Sequence, residues 1–203
     1  MLNNILVFAR EIWDKIPSNW RDRSKSEVLN FVQKRLPDFF RFCRDKMSKL
    51  WTKVRNSKFK TIVDKITSKF LEMNEEIPPD VKERLFRQVT GAQYDPDPTY
   101  NMQALSDCAQ TDEEKKAAAI QISYLVTILG EINQKQESML DEYMNSLRMT
   151  EELKKDIINE MQQVEEEFAK FAQELRQLDK EIESASAETA RIKKEANNII
   201  DLI

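Results

Sequence analysis

From Met161 to Ile203, apolar or small residues recur three and four apart without a break. One series is Met161, Phe168, Leu175, Ile182, Thr189, Ala196 and Ile203. The other is Val164, Phe171, Leu178, Ala185, Ile192 and Ile199. These are the a and d positions of about six heptads. A stripe that repeats every 3.5 residues keeps facing a neighbour only if the helix supercoils around another helix. The segment therefore predicts a coiled-coil helix, with Met161, Val164, Phe168, Phe171, Leu175, Leu178, Ile182, Ile192 and Ile199 as an oligomerisation seam.

A second periodic stretch covers 112–148, through Leu125, Ile128, Leu129, Ile132, Met139, Leu140, Tyr143 and Leu147. Thr111 and Glu114 are spaced as a capping box, with Asp112 and Glu113 adding negative charge to the first turn. Thr150, Glu151 and Glu152 resemble a fresh helix start. Two arrangements follow: an antiparallel hairpin of 112–148 against 150–203, turning near Met149, or one continuous helix. In the hairpin the arms would span roughly 55 Å and roughly 80 Å at 1.5 Å per residue, leaving some 25 Å of seam uncovered. Another chain, or the helices before residue 92, must then cover it.

Those earlier helices are short and well punctuated. Leu2, Ile5, Leu6, Ala9, Ile12, Trp13 and Ile16 mark one amphipathic helix that ends before Pro17. Ser24 with Glu27 is a capping box before a second, and Pro37 allows a third, carrying FFRFCRDKMSKLWTKVR and ending near Asn56. Phe59, Ile62, Val63, Ile66 and Phe70 define a fourth; Pro78 and Pro79 open a fifth, which Gly91 is placed to close. The expected layout is all-α: a cluster of short amphipathic helices over 1–92, a loop over 93–110, and a coiled-coil region over 111–203.

Composition narrows the chemistry. There is no histidine, so His-based triads and His-ligated metals are excluded. Two glycines, Gly91 and Gly130, cannot form a phosphate-binding loop. Cys43 and Cys108 are too few for a tetrahedral zinc site and are expected as thiols. Asp95–Pro96–Asp97 lacks the glycine and terminal glutamate of a calcium loop, and Glu165–Glu167 diverge by about 100° per residue around a helix. No enzyme, cofactor or metal is expected. The first residues carry no basic region or uninterrupted apolar core of a signal peptide. The longest apolar run, Ala117 to Gly130, falls short of the ~20 residues a bilayer requires and reads as a buried helix. A cytoplasmic or membrane-peripheral location is expected.

Charge divides the chain. Residues 1–73 hold 17 Lys/Arg against 8 Asp/Glu, a balance of +9; residues 111–203 hold 12 against 21, a balance of -9. Wound as a helix, 39–55 gathers Phe39, Phe40, Cys43, Met47, Leu50, Trp51 and Val54 on one face. Lys46, Lys49, Lys53 and Phe42 border it on one side, with Arg41, Arg44 and Arg55 beyond the other. Arg41, Arg44, Lys46, Lys49, Lys53, Arg55, Phe42 and Trp51 are therefore candidates for binding an anionic surface. That surface is either a bilayer or an acidic helix, which the chain itself supplies; nucleic acid is disfavoured because the acidic remainder repels phosphate.

Together these features predict a non-enzymatic coiled-coil assembly protein. It would associate with itself or another coiled-coil chain through 161–203 and dock an anionic surface with its basic helices. The layout also resembles α-helical pore-forming toxins and translocators, and equally scaffold and tethering proteins, although no motif carries either likeness. The toxin-like alternative implies a membrane-inserting chain that exposes 117–130.

Overall fold

The computed structural model describes the backbone of residues 2–14, 24–35 and 37–200, and most of their side chains. Nine helices and no strand occur among the described residues. They are α1 (Leu2–Asp14), α2 (Lys25–Arg35), α3 (Pro37–Lys53), α4 (Ser57–Glu72), α5 (Pro79–Thr90), α6 (Met102–Cys108), α7 (Asp112–Leu129), α8 (Gln134–Ser146) and α9 (Glu151–Ile200). Ile16 and Pro17, where the first helix is expected to end, lie outside the described residues.

The local signals explain the boundaries. The Ser24 N–H donates to Glu27 while the Glu27 N–H donates to Ser24 Oγ, forming the reciprocal box that opens α2. Pro37 stands at the first position of α3, where a missing N–H costs nothing. Asn56 caps α4 by accepting from the Phe59 N–H at 3.0 Å. Gly91 closes α5 at φ 69°, in the left-handed region. Thr111 and Glu114 form a complete capping box on α7.

The centre of the molecule is α7. Every residue from Ala117 to Leu129 is buried, and α1, α3, α4, α5 and α9 all pack on it. A helix that is apolar nearly all round has no solvent face to offer and belongs inside. The charge divide along the sequence does not separate two cores: buried residues from Ile5 on α1 to Phe168 on α9 form one cluster.

Three features differ from the pattern of the sequence. First, 112–148 is two helices, because α7 stops at Gly130 (φ 70°) and α8 restarts at Asn133, whose box with Gln136 satisfies the new N-terminus. The continuous helix is thus broken at 130–133 and again at 147–150, where Arg148 takes φ 46°. Second, the segment 93–110 contains α6, capped by Asn101 and anchored by the buried Met102 and Leu105. Third, the first part of α9 lays Leu153, Ile157, Met161, Val164 and Phe168 on α7, the first half of the expected hairpin arm, and also on α1 and α3.

Candidate functional site

The 50-residue α9 has two parts. Up to Phe168 its stripe is in the core, and the Phe168 ring meets Phe39 of α3 edge-on at 5.0 Å. Met161, Val164 and Phe168 are therefore filled by this chain's own helices. The side chains of Phe171, Leu175, Leu178, Ile182, Ile192 and Ile199 lie outside the described residues. Beyond Lys170 the backbone remains helical to Ile200, and every described side chain is exposed. The six consecutive residues Ser184–Thr189 include Ala185 at a d position and Thr189 at an a position. Six residues sweep about 500° around a helix. Their common exposure leaves α9 bare on every side at that level.

The basic candidates separate by environment. Phe39, Phe40, Cys43, Met47 and Trp51 are buried against the rest of the bundle, so the apolar face of α3 is covered. Trp51 donates its indole N–H to Gln121 Oε1 at 2.8 Å. Gln121 in turn donates to Asp64 Oδ1 at 3.0 Å and to Thr67 Oγ1 at 3.2 Å, while Lys60 pairs with Asp64 at 2.6 Å and lies over the Trp51 ring. Lys46, half-buried, pairs with Glu160 of α9, donates to Gln163 Oε1 at 2.8 Å and sits over the half-buried Phe42. Arg41 is exposed and pairs with Asp38 within its own helix at 2.7 Å. Arg44, Lys49, Lys53 and Arg55 are exposed. Lys53 also lines a cleft of about 330 Å³ with Asp112, Glu113, Lys116, Glu152 and Asp156.

A second fastening holds the N-terminus. Trp13 donates its indole N–H to the Ile128 carbonyl at 3.1 Å, satisfying an acceptor that the last turn of α7 leaves open. The ring occupies the space where a side chain on Gly130 would begin. Neither Trp13, Gly130 nor Gln121 stood out as a functional position in the sequence. Gln121 carried a signal nonetheless: a polar residue inside the apolar run 117–130 requires partners.

The chemistry of the interior is inert. Burial pushes the Cys43 thiol far above its usual range, so it is neutral at neutral pH, and Cys43 and Cys108 are both free thiols. Burial also raises the hydroxyls of Tyr124 and Tyr143. Among the described residues, no group of three or more His, Cys, Asp or Glu is placed to hold a metal ion, and no helix is long and apolar enough to cross a membrane. Comparison with family models, with curated proteins and with solved structures finds no match to this chain.

Proposed function

We propose that the protein is a non-enzymatic assembly module: a helical bundle that carries a long helix, α9, for pairing with a second helix, of another copy or another chain. One observation carries the reading. The heptad pattern of α9 continues well past Phe168, the last core residue among those described, into a stretch where Ser184–Thr189 are exposed on all sides. A repeat of 3.5 has no use in a helix meant to stay alone, since burial of its seam is what favours the supercoil. The remaining seam covers roughly 30 residues, or about 45 Å.

Truncation after Lys170 tests this. The shortened chain retains every described buried residue of the core, so its melting temperature should stay within a few degrees of the full chain. Its capacity to associate, read by sedimentation alone and after mixing with cell extract, should vanish. A full-length chain that stays monomeric and captures no helical partner under any condition would sink the reading.

The second component is the basic face. With the apolar side of α3 covered, its contact with an anionic surface reduces to the exposed Arg44, Lys49, Lys53 and Arg55. Each contributes about 1 kcal/mol near an acidic bilayer, and salt weakens it.

A membrane-inserting alternative has one observation in its favour: the apolar run of α7 is covered by a separate amphipathic helix, α1, fastened at Trp13 and Gly130. Release of α1 would bare the side of that run that α1 covers, leaving α3, α4, α5 and α9 on the others. Dye release from acidic liposomes by the wild type, lost on Leu125→Arg, is the expected outcome under this alternative. Intact liposomes across lipid compositions and pH would retire it.

A further inference from the structure

The flanks of the heptad seam beyond Phe168 are chemically unequal. In the register set by Met161 and Val164, the first five g positions are Glu167, Glu174, Glu181, Glu188 and Glu195, all glutamate, and the sixth is Leu202. The e positions are Glu165, Ala172, Asp179, Ser186 and Lys193, a mixed set. Among the described side chains, Glu181 and Glu188 are exposed, whereas Glu167 pairs with Lys170 of its own helix at 2.6 Å. Residues at g face e of the partner in a parallel pair and g of the partner in an antiparallel pair, and they set partner choice.

A second copy meets that row poorly. In an antiparallel pair of two α9 helices the glutamate rows would face each other. In a parallel pair Glu174 would face Asp179, Glu181 would face Ser186, and Glu188 alone would face a cation, Lys193. Nor do the described residues of a second copy's bundle offer an apolar stripe: their exposed large hydrophobics are Val7 and Tyr100, one on α1 and one in a loop. The exposed face of α3 is basic but has no apolar stripe to receive a and d residues.

From this charge pattern, and resting on the helix-pairing reading above, we infer that the partner of α9 is a helix of a different chain, with its own heptad stripe flanked by a row of Lys or Arg. Opposite charge along the row fixes register and orientation, and like charge rejects self-pairing.

Three synthetic four-heptad peptides test this against the full-length chain. One carries Ile at a, Leu at d and Lys at e and g. The second is identical with Glu at e and g. The third keeps the lysines but has Ser at a and d. The chain alone should sediment as a monomer at micromolar concentration. It should bind the lysine peptide on the order of 100-fold more tightly than the glutamate peptide, and should not bind the serine control. Glu181→Lys with Glu188→Lys, both at exposed positions, should shift the preference toward the glutamate peptide without changing the melting temperature. A stable dimer of the chain alone that truncation after Lys170 dissolves would overturn this inference and leave helix pairing standing. Equal binding of lysine and serine peptides would overturn it as mere charge attraction. Failure both to self-associate and to bind any seam-bearing peptide would remove the helix-pairing reading, and this inference with it.

Discussion

Single positions tie the termini of the chain to its centre. Gly130 has φ 70°, and a Cβ there would lie 1.9 Å from the Trp13 ring. Gly130→Ala therefore meets two costs: about 1–3 kcal/mol for a side chain at φ 70° and ψ -65°, a tight-turn conformation outside the left-handed helical region, and loss of the Trp13 contact with its hydrogen bond to Ile128, worth about 1–2 kcal/mol more. The expected result is a melting temperature lower by several degrees, with a red shift of Trp13 emission in a background where Trp20 and Trp51 are Phe. Gly91→Ala is the internal control. It shares the positive φ, at ψ 2° rather than -65°, and nothing lies within 4 Å of its Cβ, so it should show only the smaller cost of the left-handed region, about 1 kcal/mol. Equal destabilisation by the two substitutions would show that Trp13 contributes nothing at this point.

Among the elements, α3 shows how an exposed-looking pattern can be consumed by the fold. Lys46 meets Glu160 of α9, and both side chains are only about a fifth exposed, at 22% and 21%. Lys46→Glu places two negative charges together in a partly dry site and removes the cation over Phe42, which should cost about 1–3 kcal/mol. Arg44→Glu and Lys49→Glu sit on the open surface and should stay within about 0.5 kcal/mol of the wild type. They should instead weaken binding to acidic vesicles, if such binding occurs, in a salt-dependent manner. A stability loss shared equally among the three would contradict the contact with α9. Legibility in the sequence follows the same division. The capping residues Ser24, Asn56, Gly91 and Thr111 act through neighbours three or four residues away, so the elements they bound were readable. The apolar face Phe39–Trp51 was readable as a face, but its partner was not: Phe168 lies over a hundred residues away, and periodicity carries no address. The restart at Asn133 and the short α6 were legible only in part. Asn133 with Gln136 is a capping box directly after Gly130, but the apolar period runs through the break and hides it. In α6 two buried residues, Met102 and Leu105, are too few to establish a period.

At the scale of the whole molecule, three weak acids are sealed in one core: Cys43 on α3, Tyr124 on α7 and Tyr143 on α8. Burial raises all three, so the folded chain keeps protons that the unfolded chain releases. Above the unfolded thiol value of about 8.5, and further above the unfolded tyrosine value of about 10, the unfolded state binds fewer protons than the folded one. Stability must then fall as pH rises. The slope is about 1.4 kcal/mol per pH unit while one group contributes, and about three times that once all three do. Lys25 acts in the opposite direction: burial lowers its value, partly countered by Glu76 and Glu131, so rising pH relieves its desolvation and offsets some of the loss below about pH 10. The expected profile is a melting temperature nearly flat from pH 7 to 8.5, a shallow decline to pH 10, and a steep one beyond. Cys43→Ala should remove the shallow segment and leave the steep one. Truncation after Lys170 should alter neither, because the three groups and the described core residues around them lie before that residue. A profile that stays level to pH 11 would mean that water reaches these hydroxyls, and that the packing of α3 and α8 around α7 is looser than their burial implies.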